Sequence, residues 1–350
     1  VDHEKYMERC LSLAGLASGM VSPNPMVGCV IVRHDKIIGE GYHHEYGGPH
    51  AEVIAVASVR HQEFLKDSTL YVSLEPCAHF GKTPPCSDLI LRMKIPQVVI
   101  GTPDPCPLVE GKGIEVLTKA GIQIRTGILE KECIELNRRF FTFHIKKRPY
   151  ILLKWAQTAD GFIGLTLKRD ERAKRFWISN QLSRRFVHKC RAEVDAILIG
   201  TTTASTDDPA LTVRDWSGKN PLRIIIDRSC RLPRSLRVFD RNSDTVIFNG
   251  LRNETHGHIK YTAIDFNHDI HAQILEYLYK CQVQSLMVEG GAFTLRSFIE
   301  KNLWDEAHIY QGTGMAFGGT RAPEITGNIT ACEYFDDTRL TILRNDREKL

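Results

Sequence analysis

The basic run Lys146-Lys147-Arg148-Pro149 does most to limit how this chain can fold. It closes a helical stretch at residues 130–144, with cations at the carboxyl end and a proline beyond, which is a stop signal for a helix. On either side of it, apolar runs of strand length alternate with segments of helical period. A chain of 350 residues is long enough for two domains of ordinary size. The boundary is expected at this run, with domains over residues 1–146 and 147–350.

Before the boundary, residues 6–18 carry apolar side chains at helical spacing (Met7, Leu11, Ala14), and Pro23-Asn24-Pro25 stops them. Residues 26–32 read as a buried strand that turns at His34-Asp35-Lys36 into residues 37–41, a hairpin signal. Helices are then expected over 50–60, 87–93 and 113–120, and strands over 69–74, 97–101 and 122–128. After the boundary, strands are expected over 150–155, 196–200, 222–227, 245–248, 285–288 and 307–310. Helices over 181–190, 270–281 and 293–301 lie between them. Alternation of this kind implies an α/β layered sheet in both halves.

Composition adds limits. With 42% hydrophobic and 25% charged residues, the chain resembles an ordinary globular protein. Its opening is polar and charged, and no apolar run approaches the ~20 residues of a membrane helix. A cytoplasmic location is expected, where thiols stay reduced, so most of the ten cysteines are expected to be small buried apolar groups. The net charge of +4 suits an anionic small molecule. The densest basic run, residues 168–175, is interrupted by acids and reads as a solvated loop. No concentrated basic stripe marks a nucleic-acid partner. Homo-oligomers are common, and one is expected here.

Chemistry is concentrated in His50-Ala51-Glu52, Pro76-Cys77 and Pro84-Pro85-Cys86. One imidazole and two thiolates are the ligands of a zinc deaminase, which leaves the fourth position to water. The metal brings that water's ionisation near neutral pH. Glu52, two residues from His50 at a helix start, suits the proton shuttle from water to the ring nitrogen and the departing amine. Both cysteines sit where loops enter expected helices, which favours thiolate. Each element is common alone; the conjunction points to Zn2+. A structural zinc site would need a fourth protein ligand, for which His79 is the nearest candidate.

Eight residues separate the cysteines in Glu75-Pro76-Cys77-Ala78-His79-Phe80-Gly81-Lys82-Thr83-Pro84-Pro85-Cys86. This form, with Asn24-Pro25-Met26-Val27-Gly28 and Asp104-Pro105 before Pro107-Leu108-Val109, resembles the bifunctional riboflavin-biosynthesis deaminase–reductase family. The resemblance runs through almost the whole chain. It implies a cytidine-deaminase-like α/β/α domain followed by a dihydrofolate-reductase-like α/β domain. The implied deaminase substrate is diaminohydroxyphosphoribosylaminopyrimidine, a phosphorylated pyrimidine ribotide. His50, Cys77 and Cys86 would then hold zinc, Glu52 would shuttle the proton, Asn24 would contact the ring and Lys82 the phosphate. Cys106 departs from the family's usual asparagine and puts one substrate contact in question.

In the second half, the apolar strand Leu286-Met287-Val288 runs through Glu289 into Gly290-Gly291 and a helix. Glycines let backbone approach a phosphate, and a helix start offers N–H donors, although this is not a GxGxxG fingerprint. The resemblance implies NADPH lined by Ala156, Trp177, Thr203, Asp207 and the turn Gly291, Ala292, Phe293, Thr294, Leu295, Arg296 and Ser297. It also implies substrate contacts at Arg191, Leu211, Arg214 and Glu289, the two arginines forming a natural phosphate pair. The implied reaction reduces a ribosyl group to ribityl. Lys154, on the first strand, is a candidate for assisting proton transfer. Arg175 stands where the family has a serine two residues before Trp177, a departure that bears on the second activity. No residue reads clearly as a partner for the 2′-phosphate that separates NADPH from NADH. Alternative readings are a nucleoside or tRNA-base deaminase and a zinc-stabilised binding module without catalysis.

Overall fold

Period-two alternation organises the first unit. In β1 (Gly28–Arg33), Cys29 and Ile31 pack into one apolar cluster and Val30 and Val32 into another. A strand buried on both faces needs helices on both faces. The computed structural model describes residues 2–80, 84–107, 109–165, 178–345 and 347. The chain divides into two units, Val1–Lys146 and Lys147–Leu350.

The first sheet also contains β2 (Lys36–Tyr42), β3 (Thr69–Leu74), β4 (Gln97–Thr102) and β5 (Gln123–Thr126), in the order β2-β1-β3-β4-β5. β1 is antiparallel to β2 and β3, whereas β3, β4 and β5 run parallel. α1 (His3–Gly15), capped by the Asp2 carboxylate on Lys5 N–H, buries Tyr6, Met7 and Cys10 against Val30, Val32 and Tyr71. α2 (Ala51–Ser58), α3 (Cys86–Met93) and α4 (Lys112–Lys119) cover the other face through Ala55, Ile90 and Leu117. This is an α/β/α sandwich.

Residues 130–144 form two helices, α5 (Glu130–Leu136) and α6 (Arg138–Lys146), where one was expected. The break falls at Asn137. Its side chain accepts from Met26 N–H at 2.8 Å and donates to Met26 O at 2.8 Å. A helix-interior asparagine has thus been recruited to hold a distant loop.

The second unit is built on a ten-stranded sheet, ordered β11-β12-β10-β9-β8-β13-β6-β14-β17-β16. Its strands begin with β6 (Tyr150–Gln157), β8 (Ala196–Gly200), β9 (Leu222–Ile226) and β10 (Thr245–Asn249); β7 (Phe162–Leu165) pairs elsewhere. Next come β11 (Glu254–His256), β12 (Ile259–Ala263), β13 (Ser285–Val288) and β14 (Glu306–Gln311). β15 (Gly319–Arg321) pairs with β7, and β16 (Asn328–Phe335) and β17 (Thr338–Arg344) complete the sheet. From β12 to β14 neighbouring strands are parallel, with antiparallel strands at both edges.

The helices are α7 (Gln181–Glu193), α8 (Thr201–Asp207), α9 (Ile270–Lys280) and α10 (Ala292–Glu300). Ile274, Leu278, Leu295 and Phe298 pack with Ile151 and Leu153 on one face. Cys190 packs with Leu152, Ile197 and Met287 on the other. Residues 201–203, just past the strand expected over 196–200, open α8. No helix among the described residues is long and apolar enough to cross a membrane.

Candidate active sites

His50 caps the start of α2 in extended conformation, and the sequence packs that helix tightly on β2. A Cβ on Gly41 would stand 2.5 Å from Ala55 N and 2.7 Å from Ala51 O, so only glycine allows this approach. Cys77 follows the carboxyl end of β3, and Cys86 is the first residue of α3. His50 Nδ1 lies 3.5 Å from Cys77 Sγ and 3.3 Å from Cys86 Sγ.

The three donor atoms fall within 4.8 Å of one another. Tetrahedral zinc with bonds of ~2.0–2.3 Å sets its ligand atoms roughly 3.5 Å apart, so the residues fit that ion. Among the described residues neither His79 nor any other His, Cys, Asp or Glu joins the group. Three protein ligands with one position left over is the pattern of a catalytic site; a structural one is closed by a fourth.

One thiol of the pair ionises readily, while the other, Cys86, is pushed well above its ordinary range by its hydrogen bond with Cys77 and by burial. The Cys77 thiol is held well below its ordinary range by hydrogen bonding with Cys86, against burial, and further by His50 and the Cys86 N–H. The Cys86 N–H, at a helix start, donates to Cys77 Sγ at 3.4 Å. Glu52 is 3% exposed in the first turn of α2. Burial, then the Cys77 charge, raises its carboxyl pKa.

Asn24 faces His43, which sequence reasoning missed. His43 Nδ1 lies 2.9 Å from Pro49 O, and a carbonyl only accepts, so this nitrogen carries the proton. Nε2 then accepts from Asn24 Nδ2 at 3.0 Å, which fixes the amide. The His43 ring also meets His50 edge-on, with centroids 5.6 Å apart. Nothing in Tyr42-His43-His44 marks this role; it emerges only when the loop closes on Pro49.

Glu75 was read only as part of the Glu-Pro-Cys segment, and it proves to be an anchor. Oε2 accepts from Asp104 N–H (3.2 Å) and Gly111 N–H (3.0 Å), and Oε1 from Gly113 N–H (2.9 Å) and Ile114 N–H (3.1 Å). It ties the loop after β4 and the start of α4 to the strand end that carries Cys77. Burial raises the neighbouring Asp104 carboxyl to about 7, with Glu75 adding to the effect and the Cys106 N–H opposing it. Cys106 packs beside Leu74, Phe140 and Phe141. Lys82 lies outside the described residues.

In the second unit, a polar cluster forms at the carboxyl ends of β6 and β13. Arg191, on α7, binds Glu289 through both guanidinium arms, Nε to Oε1 at 2.8 Å and Nη2 to Oε2 at 2.7 Å. Its remaining Nη1 donates to Thr212 O. Val288 pairs with Leu153, which puts Lys154 on the rung beside Glu289. Burial lowers the Lys154 ammonium, partly offset by Glu289. Burial alone would raise Glu289, yet Arg191 and Lys154 hold it at about 2.

Arg191, expected from sequence in a phosphate pair with Arg214, is ion-paired with Glu289. Arg214 is exposed, its N–H donating to His188 Nδ1 at 3.2 Å. Leu211 is 1% exposed, with its side chain in the core.

Gly291 adopts φ 59, and a Cβ there would meet Thr203 Oγ1 at 3.0 Å. Gly200 likewise lies against Thr294 Oγ1. Thr203, Gly291 and the start of α10 thus make a cradle without side chains at its narrowest point, fit for a dinucleotide phosphate. Phe293 is 85% exposed, whereas Leu295 is fully buried in the core. Ser297 is turned to His271, with Oγ 2.9 Å from Nε2. Ala156 is half-buried on β6, and Asp207 and Arg296 are exposed. Trp177, Arg175 and the run 168–175 lie outside the described residues.

Two family models match the chain: the RibD C-terminal domain over residues 149–343, and the cytidine and deoxycytidylate deaminase zinc-binding region over residues 1–102. The riboflavin biosynthesis protein RibD of Aquifex aeolicus is 42% identical, over 90% of this chain and 89% of its own. The chain belongs to the RibD family. The RibD of Actinobacillus pleuropneumoniae is 37% identical, over 87% of this chain and 82% of its own. A Thermotoga maritima crystal structure described as a diaminohydroxyphosphoribosylaminopyrimidine deaminase/5-amino-6-(5-phosphoribosylamino)uracil reductase superposes with a TM-score of 0.88 at 35% identity, covering 98% of both chains. Acinetobacter baumannii RibD gives 0.88 at 29% identity, again over 98% of both. As a RibD, the chain is a bifunctional enzyme of riboflavin biosynthesis, a zinc-dependent deaminase joined to an NADPH-dependent reductase.

Proposed function

We propose that residues 1–146 deaminate diaminohydroxyphosphoribosylaminopyrimidine and that residues 147–350 reduce the ribosyl group of the product to ribityl. The observation that carries this reading is the three-ligand group His50, Cys77 and Cys86 beside the buried Glu52 carboxyl. Bound zinc supplies Lewis acidity and water activation near neutral pH.

Glu52 takes up a proton at its carboxylate and delivers it to the ring nitrogen, then moves a second to the departing ammonia. Burial, then the Cys77 charge, favours its protonated form. Asn24, locked by His43, presents its remaining amide atoms to the pyrimidine. Glu75 fixes the wall formed by the loop after β4. Lys82 is assigned to the phosphate by family resemblance.

In the second site, bound NADPH supplies the hydride. The start of α10, Gly291 through Ser297, with Thr203, Asp207, Ala156 and Trp177, is assigned to that cofactor. Leu295 and Ser297 are assigned by family resemblance alone: the Leu295 side chain lies in the core and its N–H donates to Gly291 O, and the Ser297 hydroxyl is turned to His271. Lys154, beside the ionised Glu289, holds the proton that ring opening requires, and Glu289 is assigned to the substrate by family resemblance. Arg214, exposed, and Arg191, beside Glu289, are assigned to the phosphate, with Leu211 shaping the same loop. A cytoplasmic homo-oligomer is the expected state, in keeping with reduced thiols and with the habit of such enzymes.

Incubation with the diaminopyrimidine ribotide, followed by mass analysis, tests the proposal. The expected change without NADPH is amine replaced by oxygen, and with NADPH a further gain of two hydrogens. An unchanged substrate in zinc-replete protein contradicts it.

A further inference from the structure

α7 carries His188 and Arg191 three residues apart, on one face of the helix. Both are buried. Arg191 Nη1 holds the Thr212 carbonyl at 3.2 Å. His188 takes a second point on the same loop, where its Nδ1 accepts from the Arg214 N–H at 3.2 Å.

Residues 211–215 have no strand or helix to shape them. Leu211 opens the segment at φ 54, a conformation that a non-glycine residue keeps only when its surroundings impose it. Its side chain is anchored in the core. The next three residues are each pinned by a side chain from outside the loop. Thr212 O is held by Arg191, the Val213 N–H by Asn220 Oδ1 at 2.8 Å, and the Arg214 N–H by His188. Asn220 is itself tied to Asn242 O at 2.8 Å. His188 is the pin on the residue whose guanidinium is assigned to phosphate.

A ring nitrogen that accepts carries no proton, so the neutral His188 ring has its proton on Nε2, which faces the Asp215 carboxylate at 3.6 Å. Burial lowers the His188 pKa, and the Arg191 and Arg214 charges lower it further, against Asp215 and Glu289. The acceptor therefore stays available at neutral pH. Its bond fixes the peptide plane that precedes the Arg214 Cα, and so the direction in which that long side chain leaves the loop. A guanidinium held in place beforehand loses less freedom on meeting a phosphate.

We propose that His188 is a positioning residue for the reductase: by accepting the Arg214 N–H it aims the Arg214 guanidinium at the substrate phosphate. The proposal rests on the assignment of Arg214 to that phosphate.

Steady-state reduction of 5-amino-6-(5-phosphoribosylamino)uracil by the full-length protein tests it, with KM measured for the ribotide and for NADPH. His188→Leu is expected to raise the ribotide KM roughly three- to tenfold, the worth of one neutral hydrogen bond, with kcat and the KM for NADPH unchanged. His188→Asn places an amide oxygen where Nδ1 stands and is expected to restore most of the loss. His188→Gln keeps a polar group in the buried slot but sets it on the Asp215 side, so it is expected to match His188→Leu and reports in its place if the leucine variant does not fold. In the background of Arg214→Ala, which itself raises the ribotide KM, His188→Leu is expected to add nothing further. Additive losses, a parallel rise in the KM for NADPH, a fall in kcat, or an asparagine variant as impaired as the leucine one overturns the proposal. A parental ribotide KM in Arg214→Ala sinks the phosphate assignment beneath it. A raised KM there with a parental one in His188→Leu sinks only the role of His188.

Discussion

Arg191 and Glu289 meet as a two-pronged ion pair, 2.8 and 2.7 Å, with both side chains nearly enclosed. The pair joins α7 to the carboxyl end of β13, in the site proposed for the reductase. Enclosed pairs of this kind tolerate the loss of both partners better than the loss of one.

Arg191→Met is expected to leave Glu289 buried and unpaired, at a cost of about 3–5 kcal/mol to the second unit. The double change Arg191→Met with Glu289→Met is expected to recover much of that stability and to have no reductase activity. Urea unfolding followed by Trp fluorescence checks both. A single variant as stable as the parent contradicts the account.

The same pair sets an acid limit. Glu289 is held at about 2, below the ordinary carboxylate value of 4.5. A depressed acid stabilises the fold above its unfolded pKa, and that contribution drains away as pH falls towards the folded value. Stability of the parent is therefore expected to drop between about pH 4.5 and pH 2. Glu289→Gln is expected to flatten that part of the profile, as thermal melts across the range will register.

Glu75→Gln replaces one acceptor oxygen with a donor facing two backbone N–H groups. The expected cost is about 2–4 kcal/mol to the first unit, from lost charge-assisted bonds and stranded donors. Zinc content is expected to stay intact, because none of the three ligands is touched. A melting temperature equal to the parent's contradicts the anchoring role.

Glu52→Gln keeps the shape of the site and removes its base. Deamination is expected to fall roughly a hundred- to ten-thousandfold, while reduction of the already deaminated ribotide continues at the parental rate. Separate assays on the two substrates decide the matter.

The sequence carried much of this in legible form. Strand and helix periods, the stop at Pro149, and the His-x-Glu and Cys motifs all act locally, so their signals are local. What escaped depends on closure in three dimensions. His43 takes its tautomer from the Pro49 carbonyl, and Asn137 breaks a helix to serve Met26, 111 positions away. Glu75 collects amides from residues 29 to 39 positions downstream. Nothing in the sequence announces the ion pair of Arg191 with Glu289, because the two lie 98 positions apart.

Metal analysis of freshly purified protein, with Cys77→Ala as the comparison, weighs most heavily on this description. One zinc per chain is predicted in the parent and almost none in the variant, with deamination following the metal. Fully active protein devoid of zinc, or zinc retained undiminished in Cys77→Ala, contradicts it.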